Sequence, residues 1–81
     1  MGDALTVEFD VDGDILRLSS TAPYASQDSN EVDDGVIVRS NPDSGCVEGI
    51  EILFFSRRFG RGSRALRLPV GVKMHQTKGP D

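Results

Sequence analysis

Apolar side chains recur at every second position near the start of this chain. Leu5, Val7 and Phe9 alternate with Thr6 and Glu8, which places the three on one face of a strand. The turn-forming run Asp10-Val11-Asp12-Gly13-Asp14 interrupts the pattern. Ile15-Leu16-Arg17-Leu18 then restarts it, with Leu16 and Leu18 inward and Arg17 outward. The two segments predict a first β-hairpin. Ser19 to Asn30 has no period and is rich in Ser, Thr, Gln, Asp and Ala, so it reads as a surface loop. Tyr24 would pin that loop by packing its ring and leaving its hydroxyl in water. The loop ends at Asp34-Gly35.

A second hairpin follows. Val36-Ile37-Val38-Arg39 is the third strand and Cys46 to Phe55 the fourth, joined by Asn41-Pro42-Asp43-Ser44-Gly45. Pro42 fixes φ for that reversal and Gly45 can take a positive φ. Within the fourth strand Ile50, Ile52 and Phe54 would share one face. Val47, Leu53 and Phe55 would share the other, which Gly49 and Glu51 interrupt. A strand apolar on both sides belongs in the middle of a sheet or under a cover. Arg57 and Arg58 stand directly after it, where charges guard an aggregation-prone run. Gly60 and Gly62 argue against a long helix, and Ser63 to Leu68 fits a helical turn or an edge strand ended by Pro69. The expected fold is therefore mainly β, at most α+β. It is a single antiparallel sheet of two consecutive β-hairpins, with a short irregular, helical or edge-strand C-terminal element. One domain would span residues 1–72, with a polar, flexible tail over 73–81.

Size and charge sharpen this picture. A single core in a chain of about this length supplies only about 3–5 kcal/mol, and here no disulfide framework adds to it, since Cys46 is the one cysteine of 81 residues. A partner subunit covering a sheet face would compensate, so a homo-oligomer or a small protein partner is expected. A lone cysteine also fits a reducing compartment, and no stretch approaches the apolar length of a membrane span. Together with a start that lacks a basic-then-apolar signal pattern, this gives a cytoplasmic expectation. The charge is polarised. Residues 1–55 hold 12 acidic and 2 basic side chains, whereas residues 56–81 hold 7 basic and 1 acidic. Such a chain can fold its basic end on its own acidic surface or show two faces to different partners.

Several of these segments, taken together, resemble a known family. They are Phe9-Asp10, Asp14-Ile15-Leu16, Gly35-Val36-Ile37-Val38, and Gly45-Cys46-Val47-Glu48-Gly49-Ile50-Glu51-Ile52-Leu53. The family is the small prokaryotic domain of unknown function family 2283. The resemblance covers residues 4–58 and is strongest at Gly35–Val38 and Val47–Leu53. It implies a small antiparallel sheet with a short terminal element and no catalytic activity to transfer. It also implies an antitoxin-like role in binding a partner, because family members occur beside small toxin-like proteins. The chain departs from the family after Leu53, where Phe54-Phe55 and a Gly/Arg-rich stretch replace a small residue and a helix-compatible tail.

Candidate chemistry is sparse. Asp10, Asp12 and Asp14 suggest an oxygen-lined calcium loop, but Gly13 falls fourth instead of sixth and Thr21 stands where a bidentate Glu belongs. A tight hairpin explains the same residues. Glu48, Glu51, Asp33 and Asp34 could supply paired carboxylates, which would need a shielded cleft and a raised pKa. Glu51 is expected to face water as the polar half of the strand alternation. His75 and Cys46 are too far apart and too few for zinc, and Cys46 at the start of a strand reads as a small buried thiol. No metal, cofactor or catalytic residue is assigned.

The expected function is a non-enzymatic interaction module. Its partner-binding residues would be Ile50, Ile52, Phe54, Phe55, Arg57, Arg58, Arg61 and Arg64. The alternative is a nucleic-acid-associated protein. Arg57, Arg58, Arg61, Arg64 and Arg67, with Phe59 among them, would then meet phosphates and bases. A sequence pI of about 4.8 weighs against that alternative.

Overall fold

Five strands form one antiparallel sheet in the order β1-β2-β5-β4-β3. A computed structural model describes residues 4–59, 65–71, 74 and 76. The strands are β1 (Thr6–Asp10), β2 (Ile15–Ser19), β3 (Asp28–Asp33), β4 (Val36–Ser40) and β5 (Val47–Leu53), followed by a short helix α1 (Phe55–Phe59). Both predicted hairpins are present, as β1–β2 and β4–β5. They join through β2 and β5, so β5 lies in the middle, where its two-sided apolar pattern puts it.

Register turns these strands into rows of side chains across the sheet. Residues directly opposite one another share a face. One row on the first face runs Phe9, Leu16, Ile52, Val36, and its neighbour runs Val7, Leu18, Ile50, Val38. Val36, Val38 and Ile52 are the buried apolar core, so the dry part of the sheet lies over β4 and β5. On the opposite face the central row is Glu8, Arg17, Glu51, Ile37, Glu31. The sheet is thus apolar on one side and largely charged on the other, the arrangement expected of an antiparallel sheet with one wet face.

Three features depart from the sequence reading. The polar loop is shorter than expected, because Asp28–Asp33 is strand β3, paired with β4. Its sequence lacks an apolar period, and it is recruited through the backbone by the free edge of β4. The fourth strand ends at Leu53 and does not continue to Phe55. Phe54 adopts a left-handed conformation, φ 56°, and the chain turns into α1. Phe54 and Phe55 therefore do not continue the alternation of β5. Cys46 is exposed and precedes β5, so it is not a buried strand thiol.

Asp14 explains the abrupt turn after Leu53. Its main-chain carbonyl accepts from Phe55 N–H at 3.0 Å. Its carboxylate accepts from Ser56 N–H at 3.0 Å and from Ser56 Oγ at 2.7 Å. A side-chain acceptor at the start of a helix satisfies amides that the helix itself leaves unpaired. Asp10 accepts from Gly13 N–H at 3.1 Å, which closes the β1–β2 turn. The alternating aspartates thus shape a turn and a cap. At the other end of α1, Arg58 Nε donates to Leu53 O at 2.9 Å and Nη2 donates to Asp34 O. Gly35 lies beneath this arginine with φ 72°, and a Cβ there would fall 2.5 Å from Arg58 Nη2. Glycine suits the conformation of this turn, and a Cβ there would displace the Arg58 guanidinium from its two carbonyls.

The expected tail over 73–81 has only Met74 and Gln76 within the described residues, and Gly60, Arg61, Gly62, Arg64 and His75 lie outside them. Ala65 to Gly71 has no regular secondary structure, and its Leu66, Leu68 and Val70 are half-buried.

Candidate functional site

Among the described residues two places concentrate the polar chemistry, both on β5, which carries a bulge at Glu48. The first is centred on Glu51, which is only 9% exposed. Its Oε2 accepts from Arg17 Nε at 3.2 Å and from Arg39 Nε at 3.1 Å, and Arg39 Nη2 lies 3.1 Å away. Arg17 faces Glu51 directly across β2 and β5. Arg39 reaches it diagonally from opposite Gly49. Arg39 Nη1 also donates to Ser29 Oγ on β3 at 2.8 Å. Arg17 and Arg39 are the two basic residues of positions 1–55, and both converge on this one carboxylate. The expectation that Glu51 faces water is therefore corrected. A carboxylate in the middle of a sheet is paired with two guanidinium groups, which ties β2, β5 and β4 together.

Glu48 organises the second place. Its Oε1 accepts from Tyr24 Oη at 2.6 Å and from Gln27 Nε2 at 3.0 Å, and its Oε2 from Asn41 Nδ2 at 3.4 Å. Ser20 N–H donates to Glu48 O at 2.9 Å. The segment 20–27 is thereby strapped along the start of β5. Tyr24 does anchor the loop, but through its hydroxyl, which is bonded and not left in water. The Tyr24 hydrogen bond, with those from Gln27 and Asn41, holds the Glu48 carboxyl below its ordinary range. The same hydrogen bond, with partial burial and the Glu48 charge, pushes Tyr24 up to about 12.

This coupling can be read directly. Tyr24 is the single tyrosine and the chain has no tryptophan, so ultraviolet absorbance follows one phenol. Its ionisation midpoint is expected near 12, against 10 for a free phenol, and Glu48→Gln should bring it back toward 10. The raised folded value means that this contact stabilises fully below pH 10 and is lost as pH rises toward 12. The lowered Glu48 value acts in the other direction, stabilising above the ordinary carboxylate value of 4.5 and fading as pH falls through the folded one. A midpoint at 10 in the unaltered protein would contradict the strap.

The sequence-nominated contact residues separate in space. Ile52 is 4% exposed and belongs to the core, and Ile50 and Phe55 are half-buried. Phe55 packs edge-on against Phe9, with centroids 5.7 Å apart, and against Phe59 at 4.8 Å. Phe54 is exposed, with the Arg57 guanidinium 5.7 Å from its ring centre. The Arg58 guanidinium is engaged by two carbonyls of its own chain. Arg61 and Arg64 fall outside the described residues.

Sequence reasoning left out the exposed apolar row. Leu5 is 58%, Val7 60% and Phe9 46% exposed, all on the apolar face at the β1 edge. Their alternation was the available signal, but period alone does not distinguish an edge strand from an inner one. Among the described residues no group of three His, Cys, Asp or Glu side chains could hold a metal ion, and no helix is long and apolar enough to cross a membrane. Comparison with family models, curated proteins and solved structures returns no match to this chain.

Proposed function

We propose that this protein is a non-enzymatic interaction module that associates with itself through the β1 side of its apolar sheet face. The observation that carries the reading is the exposure of Leu5, Val7 and Phe9 at the rim of two rows that pass through half-buried Leu16, Leu18 and Ile50 to buried Ile52, Val36 and Val38. Apolar area removed from water contributes about 25 cal/mol per Å². A contiguous exposed apolar row at the rim of a small core is therefore a place where association stabilises the fold. The chain's carboxylates support the non-enzymatic part. Glu51 is engaged by Arg17 and Arg39, Glu48 by Tyr24, Gln27 and Asn41, Asp14 by Ser56, and Glu31 by Gly35 N–H at 3.1 Å. These four groups are engaged in holding the fold together. The exposed thiol of Cys46 suits a reducing cytoplasm.

Light scattering after size exclusion tests the reading. Self-association predicts a mass that rises with concentration to a multiple of 8.8 kDa at micromolar protein. A stable monomer throughout that range sinks it. The face would then await a different protein, as the resemblance of Gly35–Val38 and Val47–Leu53 to the domain of unknown function family 2283 suggests.

A further inference from the structure

The sheet has two edges, and they are built differently. The β3 edge, Asp28-Ser29-Asn30-Glu31-Val32-Asp33, carries three acids and one apolar residue, and its register slips at a bulge between Glu31 and Asp33. Charge and a bulge are the usual means of protecting an edge from further pairing. The β1 edge has neither protection on its apolar side. Its pairing with β2 is regular over all five residues, and Val7 and Phe9, with Leu5 just before them, stand exposed on one face. An unprotected edge presents unpaired backbone groups as a template for another strand.

We infer that the second strand is β1 of another copy of this chain, paired antiparallel about a two-fold axis at Val7. The inference rests on the self-association reading and adds the edge and the register. An antiparallel pair keeps the apolar faces of both copies on one side only when like-facing residues stand opposite each other. Centred on Val7, the pairing sets Val7 against Val7, Leu5 against Phe9, and Thr6 against Glu8. No two acids are opposed, and the apolar row of one copy continues into that of the other. Centred on Glu8, it would set the two Glu8 side chains directly opposite, which is repulsive. Slipped by a single position, it would set Val7 against Glu8 and turn the apolar faces to opposite sides. The product is a ten-stranded sheet whose exposed edges are the two protected β3 strands.

A cross-link at the axis tests this. Residues directly opposite in an antiparallel pair lie about 4.5–5.5 Å apart at Cα, within disulfide reach. In a Cys46→Ser background, which removes the native exposed thiol, Val7→Cys is expected to oxidise to a covalent dimer on a non-reducing gel. Glu8→Cys and Asn30→Cys, the latter on β3, should stay monomeric on that gel. Preferential cross-linking of Glu8→Cys overturns the register, and of Asn30→Cys the edge. If none cross-links while the unaltered chain sediments as a dimer, the Val7-centred pairing falls and self-association stands. If none cross-links and the chain is a monomer, both fall.

Discussion

Replacing Ile52 with alanine is expected to cost about 3 kcal/mol and to leave a large share of the protein unfolded at physiological temperature. Ile52 sits at 4% exposure in the central strand, between Leu16 on β2 and Val36 on β4. Truncation removes three carbons from the dry part of the sheet and leaves a hole that a paired backbone cannot close. Native stability of roughly 0.05–0.15 kcal/mol per residue gives a chain of this length about 4–12 kcal/mol. A core with three buried apolar side chains among the described residues, Val36, Val38 and Ile52, places it toward the lower end. Urea unfolding followed by circular dichroism gives the measurement, with a lower midpoint and an unchanged slope. Val11→Ala is the control. Val11 is 75% exposed in the β1–β2 turn, and its truncation should change stability by less than about 0.5 kcal/mol. An Ile52→Ala variant within about 1 kcal/mol of the unaltered protein would mean that the core lies elsewhere.

The elements carrying this core were legible because their side chains alternate. Leu5 to Phe9, Ile15 to Leu18, Val36 to Arg39 and the run to Leu53 each declare a strand, and Asn41 to Gly45 declares the turn between two of them. β3 was illegible for the converse reason. An edge strand polar on both faces has no period to read, and its order comes from backbone pairing with β4. One local signal was present. Asp34-Gly35 is a two-residue hairpin turn as much as the end of a loop, and Gly35 at φ 72° serves it that way.

The end of β5 was hidden for a different reason. Phe54 and Phe55 look like more strand. What stops the strand is Asp14, far back along the chain in the first hairpin, which accepts hydrogen bonds from Phe55 and Ser56. No local rule contains that contact. The polar sites divide in the same way. Interruption of an apolar strand singled out Glu51, but its exposure depended on which strands flank β5. Once β2 and β4 do, the outward positions of Arg17 and Arg39 meet at one carboxylate. The Glu48 cluster joins residues from three separate stretches, and no spacing announces it.

Removing the Glu51 charge is the second large effect, and salt reveals its origin. Breaking a fully buried ion pair by deleting one partner costs about 3–5 kcal/mol. Here the arginine side chains keep 36% and 29% of their exposure, so water takes up part of the loss, and Glu51→Gln is expected to cost about 2 kcal/mol. The amide is nearly the same size and still fits between the strands, so the loss comes from charge and not from packing. It leaves Arg17 and Arg39 converging on a neutral group, each repelling the other across β5. Added salt screens that repulsion, whereas in the unaltered protein it screens the attraction of both arginines for Glu51. The stability gap between the two proteins should therefore narrow as sodium chloride is raised at fixed pH. Replacing all three residues together, with Arg17→Met, Glu51→Leu and Arg39→Met, should recover most of the loss, because apolar side chains of similar volume avoid the cost of desolvating three charges. Urea midpoints at low and high salt measure both effects. A gap that stays constant with salt would mean that Glu51 acts by shape, and that its two arginines contribute nothing through charge.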